Sequence, residues 1–188
     1  MKVNVLLFEG FTALDAFGPV EVLSCLEDTR LEYYSFAGGV VTNRQNIRIE
    51  TLPLSQADLS ALWLIPGGFG TRGLVEDTDF LSGLKKITEE AQFCLSVCTG
   101  AALLARCGAL DGRRATTNRK AFDWVASCGE GVLWDREARW VSDGKFYTSA
   151  GVSAGIDMAL GFVTEQFGEE QARAIALRME SAHYSKRI

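Results

Sequence analysis

The stretch FCLSVCTGAALLARC, residues 93–107, decides how the rest of the sequence is interpreted. Its first five residues form a continuous apolar run with the length of a buried strand, and residues 101–107 have the small and leucine-rich composition that favours a helix. Cys98, Thr99 and Gly100 connect the two segments. A nucleophilic side chain on a sharp strand-to-helix turn, with a glycine two positions later, is the arrangement of a nucleophile elbow.

Strand and helix patterns alternate along the chain on both sides of this stretch. Strands are predicted at residues 3–8, 31–37, 47–52, 62–65 and 93–97. Helices are predicted at residues 18–26, 79–91, 101–107, 117–127, 153–167 and 169–180, with Pro19 in the first turn of the first and Thr117 capping the fourth. Continuous apolar strands alternating with helices predict a mostly parallel sheet covered on both faces. Residues 132–149 are expected to add a small antiparallel edge, because Asp143-Gly144 is a hairpin signal.

Composition and charge exclude several function classes. The chain has 188 residues, a formal net charge of −5 and no dense run of Lys and Arg, so we expect a single domain, residues 1–188, without a nucleic-acid partner. No apolar run has the length of a membrane span, and the start of the chain resembles a strand rather than a signal peptide. We therefore expect a cytoplasmic protein that does not bind membranes, with its five cysteines reduced.

Cys98 is the candidate nucleophile. Ligands of open α/β sheets bind beyond the carboxyl ends of the strands, where this turn is expected to lie. The N-terminus of the following helix would favour a thiolate there, because its unpaired N–H groups carry partial positive charge. The alternative is a packed core cysteine, which is our interpretation of Cys94, Cys25 and Cys107.

His183 is the only histidine of the chain. A cysteine peptidase or glutaminase needs a base that activates the thiol, and a histidine near the C-terminus is more typical of an exposed chain end. Both activities are therefore disfavoured. A metal site is not expected either, because zinc takes about four Cys, His or carboxylate ligands and the cysteines here are scattered.

Four stretches resemble the ThiJ/PfpI superfamily, in the same order as in the family. They are FEGFTALDAFGPVEVL (8–23), IPGGFGTRGL (65–74), SVCTGAALLARCGALDGRRATTN (96–118) and TSAGVSAGIDMALGFVTEQFG (148–168). Within the superfamily they are similar to the isonitrile hydratases and to the amidotransferase-like sensor domains of helix-turn-helix regulators. The resemblance implies a flavodoxin-like three-layer α/β sandwich and a homodimer.

The resemblance also implies roles for single residues. Cys98 matches the nucleophile of the family, Thr99 the threonine that follows it in isonitrile hydratases, and Asp15 their acidic residue beside the cysteine. Such a carboxyl is useful next to a thiolate only if it is protonated or shuttles a proton. The alternative for Asp15 is a helix cap.

The loop and pocket residues follow in the same way. Gly68 matches a loop that usually supplies a backbone N–H facing the cysteine, and with the Thr99 N–H it would form an oxyanion hole. The alternative for Gly67-Gly68 is a plain tight turn. Asn118 stands where relatives usually have a histidine. Three phenylalanines are candidates for an apolar pocket, or else for the core: Phe11, Phe17 and Phe69.

The combined hypothesis is a hydratase that adds water to an isonitrile, a small-molecule substrate, without a cofactor. Cys98 would attack the terminal carbon, Asp15 would transfer protons and Thr99 would orient the water. Two alternatives remain open. One is a sensor or ligand-binding protein without turnover, in which the cysteine is oxidised or binds a ligand. The other is a glyoxalase-like enzyme with the same thiol.

Overall fold

An eight-stranded sheet forms the centre of the molecule in the computed structural model, which describes residues 1–181. The described part of the chain has ten strands, of which all but β7 and β8 belong to this sheet. They are β1 (Lys2–Leu6), β2 (Arg30–Ser35), β3 (Gly39–Thr42), β4 (Arg48–Pro53), β5 (Leu62–Ile65), β6 (Phe93–Val97), β7 (Arg114–Ala115), β8 (Leu133–Trp134), β9 (Trp140–Asp143) and β10 (Phe146–Ser149). The order in the sheet is β3-β4-β2-β1-β5-β6-β10-β9. Only the two outer pairs, β3–β4 and β9–β10, are antiparallel. Strands β7 and β8 form a separate parallel pair.

Helices cover both faces of this sheet. They are α1 (Ala13–Ser24), α2 (Thr71–Leu74), α3 (Thr78–Glu90), α4 (Gly100–Arg106), α5 (Phe122–Ala126), α6 (Ala154–Phe167) and α7 (Glu169–Arg178). Helices α1, α6 and α7 pack together on one face, and α2, α3, α4 and α5 lie on the other. The architecture is the expected flavodoxin-like three-layer sandwich. Among residues 1–181, no helix combines the length and the apolarity that crossing a bilayer requires.

The start of α1 differs from the prediction. The helix begins at Ala13, not near residue 18, so Pro19 lies in its interior and not in its first turn. An interior proline removes one helix hydrogen bond and costs about 3 kcal/mol, which is why Gly18-Pro19 was expected to mark a helix start. Packing against α6 and the sheet stabilises the helix nevertheless. The consequence for the site is that Asp15 lies inside α1.

The segment 132–149 also differs from the prediction. It was expected to form only an antiparallel edge, but β10 is parallel to β6 inside the main sheet and β8 pairs with β7. All four residues of β10 are buried, as is typical of a strand covered on both faces. Thr117 does not cap the next helical segment, because the Asn118 side chain accepts the Ala121 N–H there. Strand β3, at the opposite edge, was not predicted.

The topology places the site. The chain runs from β1 outward to β2 on one side and later returns to β5 on the other, so a crevice opens at the carboxyl ends of β1 and β5. Strand β6 lies next to β5, and both occupy the residues that were predicted for them. Asp15, Gly67 and Cys98 follow these three central strands. The sheet therefore brings three segments that are far apart in sequence to one edge.

Candidate functional site

Cys98 lies on a strained turn between β6 and α4. Its φ of 57° is in the left-handed region, which costs a non-glycine residue about 1–2 kcal/mol. Both backbone polar groups of Cys98 are bonded: its N–H donates to the Ala150 carbonyl at 2.8 Å, and its carbonyl accepts the Thr117 hydroxyl at 2.7 Å. These bonds hold the turn in one conformation. The geometry agrees with the nucleophile elbow predicted from the sequence.

Asp15 is fully buried and points towards this turn. Thr12 occupies the N-cap position of α1, so the interpretation of Asp15 as a helix cap is wrong. The Asp15 Oδ2 accepts the Gly67 N–H at 3.2 Å, whereas Oδ1 has no well-formed hydrogen bond within residues 1–181. A buried carboxylate oxygen that lacks a well-formed hydrogen bond is costly, and such groups are concentrated at functional sites.

Two glycines allow the three turns to approach one another. A Cβ on Gly67 would lie 2.6 Å from the Thr99 backbone nitrogen and 2.9 Å from the Asp15 Oδ2, so no side chain fits there. A Cβ on Gly100 would lie 2.4 Å from the Ile65 carbonyl oxygen, where the start of α4 passes the end of β5. The glycines therefore do more than form a tight turn. They let the loop after β5 close over Asp15 and Thr99.

The Gly68 N–H does not take the place that was predicted for it in an oxyanion hole. The Gly68 N–H donates to the Thr99 Oγ1 at 3.0 Å and therefore does not face the cysteine. The Thr99 hydroxyl is held on a second side by the Thr71 hydroxyl, at 3.2 Å. The Thr99 backbone N–H remains directed at the Cys98 sulfur. The site thus offers the sulfur one backbone donor and a fixed hydroxyl.

Burial raises the pKa of both members of the Asp15–Cys98 pair. Burial raises the pKa of the Asp15 carboxyl from 3.8 to about 6, while hydrogen bonds from Gly67 and Cys98 act in the opposite direction. Burial, and after it the charge of Asp15, raises the pKa of the Cys98 thiol to about 12, although the Thr99 N–H lowers it. At pH 7 the pair is a carboxylate beside a thiol. These shifts do not favour the resting thiolate that the sequence predicts, and burial is their largest cause.

The remaining predicted residues lie around this centre. Asn118 accepts the Ala121 N–H at 3.1 Å, and its Nδ2 lies 2.6 Å from the position of a Cβ on Gly151, next to Ala150. It borders the segment that holds the Cys98 turn, and its role in a pocket stays a prediction. Phe69 is exposed, whereas Phe11 is fully buried in the core. His183 lies outside the described residues.

Sequence reasoning missed two residues that hold the site. Thr71 bonds the Thr99 hydroxyl, and Thr117, expected to cap a helix, bonds the Cys98 carbonyl. Both are fully buried threonines inside the quoted motifs. A buried hydroxyl in such a motif is the signal that could have found them, because buried hydroxyls need a partner.

The chain matches a known protein family over most of its length. The model of the DJ-1/PfpI family matches residues 1–165. The chain belongs to the DJ-1/PfpI family. Within this family, an isonitrile hydratase from Pseudomonas putida is 31% identical over 183 residues, which cover 97% of this chain and 79% of the relative. A helix-turn-helix transcriptional regulator from Pseudomonas aeruginosa, CdhR, is 27% identical and matches 89% of this chain but only 51% of its own length.

The solved structures of DJ-1/PfpI proteins agree with this assignment. A ThiJ/PfpI family protein from Pseudomonas syringae superimposes with a TM-score of 0.89 at 27% identity, covering 96% of this chain and 75% of that one. The family therefore contains both an enzyme and a regulator among the relatives of this chain. Membership of the family fixes the fold, whereas the activity depends on the residues of the site.

Replacing Asp15 by Asn is expected to speed alkylation of Cys98. The Asp15 charge raises the pKa of the thiol, so its removal lowers that pKa and increases the thiolate fraction by about tenfold per pKa unit. The rate of iodoacetamide labelling of the Cys98 peptide between pH 7 and 10, followed by mass spectrometry, measures this effect. The Cys128 peptide of the same digest is the control and keeps its rate. An unchanged or slower Cys98 rate would contradict the coupling.

The same residue makes stability depend on pH. The Asp15 pKa rises from 3.8 to about 6 on folding, so the folded state binds this proton more tightly and stability falls as pH rises from about 4 to about 6. The difference corresponds to on the order of 3 kcal/mol. Urea unfolding should show that Asp15→Asn loses this fall, so that it gains stability relative to wild type above pH 6. The exposed Asp28→Asn should follow the wild-type profile, and parallel profiles for all three proteins would refute the assignment.

Proposed function

We propose that this protein is a cysteine-dependent hydratase of a small electrophile, and that it converts an isonitrile to an N-formamide. The observation that carries the proposal is the buried pair of the Asp15 carboxylate and the Cys98 thiol. The pair offers a base and a nucleophile that can exchange a proton, and Thr99 is fixed beside them. The pair provides its own acid–base chemistry, so no histidine and no cofactor is needed.

The first half of the proposed reaction forms a carbon–sulfur bond. The Cys98 sulfur attacks the terminal carbon of the isonitrile while its proton passes to the Asp15 carboxylate. Asp15 then returns this proton to the same carbon, which gives a thioimidate, R–N=CH–S–Cys98. Negative charge develops on carbon and not on oxygen in this half. An oxyanion hole is therefore not required, which suits a site whose Gly68 N–H is bonded to Thr99.

The second half adds water. Asp15, again a carboxylate, accepts a proton from a water molecule held by the Thr99 hydroxyl as the water oxygen attacks the thioimidate carbon. The proton passes to the substrate nitrogen and gives R–NH–CH(OH)–S–Cys98. The carbon–sulfur bond then breaks, the hydroxyl proton returns to sulfur and R–NH–CHO leaves. The sum of the two halves is isonitrile plus water to N-formamide, with Cys98 and Asp15 restored.

Peptidase and glutaminase activities fit the site less well. Both pass through tetrahedral oxyanions and use a base such as histidine, and the sequence has no histidine within residues 1–181. A glyoxalase-like reaction uses the same thiol and stays an alternative. The second candidate is ligand sensing without turnover, which the similarity to a regulator favours. The high pKa of the Cys98 thiol makes a ligand sensor more plausible than an oxidation sensor, because oxidation begins from the thiolate.

Formation of an N-formamide from phenyl isonitrile tests the hydratase proposal. Cys98→Ala and Asp15→Ala are each expected to lower kcat/KM by about a thousandfold or more, because each removes one half of the pair. Wild-type kcat/KM should fall below pH 6 as Asp15 takes up its proton. The partly buried Cys128→Ala is the matched control and keeps full activity. Wild-type protein without turnover would refute the proposal and leave ligand sensing, tested by binding without product.

We also propose that the chain forms homodimers in the cytoplasm. Five free thiols are typical of proteins in a reducing compartment. The outward face of the β3–β4 hairpin carries Val40 and Leu52, which are 49% and 43% exposed, together with the exposed Glu50 opposite Val40. Strand β3 is an edge strand, and exposed apolar edges are usually covered by a partner.

A charge on this hairpin should separate the subunits. Val40→Glu removes an apolar contact and adds a second carboxylate opposite Glu50, so we expect a shift from dimer to monomer in sedimentation velocity at micromolar concentration. Leu177→Glu is the control, because Leu177 is 50% exposed on α7, away from the hairpin. A wild-type monomer, or a Val40→Glu dimer, would contradict the proposed interface.

A further inference from the structure

An opening lies beside the Cys98 site. It is a groove of about 510 Å³, lined by Glu9, Gly10, Thr42, Asn43, Arg44 and Phe69. Two of its residues adjoin a β-bridge between Phe11 and Gly68. Gly10 directly precedes Phe11, and Phe69 directly follows Gly68. The Gly68 N–H in turn bonds Thr99. The groove therefore begins one residue along the chain from the Phe11–Gly68 bridge, whose Gly68 contacts Thr99 of the site.

The groove contains a hydrogen-bond donor that lacks an acceptor. Asn43 is only 4% exposed, and its Oδ1 accepts the N–H groups of Gln45 and Ile47, both at 2.9 Å. Its Nδ2 is buried and has no hydrogen-bond partner within the described part of the chain. A buried donor left unpaired costs about 1–3 kcal/mol. An acceptor supplied by a ligand would remove that cost.

The groove is lined by one positively and one negatively charged side chain, Arg44 and Glu9. Arg44, next to Asn43, makes no ion pair or hydrogen bond with any residue from 1 to 181. The Glu9 carboxylate is the opposing charge, and both its oxygens lie 3.2 Å from the Thr42 N–H that they accept. Arg44 therefore has its guanidinium available, and the Glu9 carboxylate accepts a backbone N–H but keeps its negative charge. A guanidinium binds a carboxylate through two parallel hydrogen bonds.

The body of the ligand would lie against Phe69. This side chain is 74% exposed, which is unusual for a phenylalanine, and it lines the groove. An aromatic ring packs against the apolar part of a ligand and stacks on another ring. The groove thus combines an aromatic wall with a cation and an unpaired amide N–H. Together these fit a small apolar or aromatic group that ends in a carboxylate.

We propose that this groove is the subsite for the substituent on the isonitrile nitrogen, and that the substituent carries a carboxylate bound by Arg44 and Asn43. The proposal rests on the hydratase function. The R–N≡C group is linear, so when its carbon lies at the Cys98 sulfur its substituent must extend away from the buried pair. The adjoining groove receives it. The natural substrate is then an anionic isonitrile, and the groove determines specificity without contacting the reacting carbon.

The test compares para-isocyanobenzoate with para-isocyanobenzamide, its neutral counterpart of similar size. Wild-type kcat/KM should favour the carboxylate by about tenfold or more. Arg44→Ala should lower kcat/KM for the benzoate by about tenfold and leave the benzamide within twofold. Arg44→Lys should keep part of the preference, and Glu9→Gln should increase it by removing the opposing charge. Arg48→Ala is the control, because Arg48 is an exposed arginine on β4 outside the groove.

Two outcomes overturn the subsite while leaving the hydratase intact. These are equal kcat/KM for the two substrates in wild type, and an equal loss for both in Arg44→Ala. If neither isonitrile is hydrated, the proposed function fails, and binding is measured without turnover. The probe is para-formamidobenzoate, titrated into wild type and Arg44→Ala by calorimetry. Binding that weakens about tenfold in Arg44→Ala supports the anion subsite by itself, and absence of binding in wild type overturns it.

Discussion

The close packing of three turns around Gly67 is the constraint on which the site depends. The loop after β5 passes between Asp15 on α1 and Thr99 at the start of α4, with no space for a Cβ. This approach gives the Asp15 carboxylate its one backbone donor and buries it beside Cys98. The raised pKa of both groups follows from that burial. Packing of the backbone therefore sets the chemistry of the side chains.

The strain at Cys98 is part of the same arrangement. A positive φ at a cysteine is held by hydrogen bonds from segments that are distant in sequence, at Thr117 and Ala150. Ala150 directly follows β10, which pairs with β6 in the main sheet. The cost of orienting the candidate nucleophile is therefore met during folding.

Much of the fold and part of the site could be predicted from the sequence. The apolar runs of β5 and β6 were located to the residue, and Cys98 was placed on its turn. The start of α1 was not, because Gly18-Pro19 signals a helix start locally while packing against α6 decides the actual one. Strand β10 was assigned to an antiparallel edge, because local pattern cannot tell which strand will be its neighbour. The role of the Gly68 N–H was predicted wrongly, because the Thr99 hydroxyl, 31 residues later in the chain, accepts this N–H.

The sequence by itself determined the alternation of strands and helices, the elbow at Cys98 and the family motifs, because each is a pattern of neighbouring residues. Only the tertiary structure decided how burial and Asp15 act on the Cys98 thiol. Whether Cys98 is a thiol or a thiolate depends on desolvation and on a carboxylate 83 positions away in the chain, and neither is encoded locally. The groove at Arg44 and Phe69 likewise exists only because the loops after β1, β3 and β5 meet at one edge of the sheet.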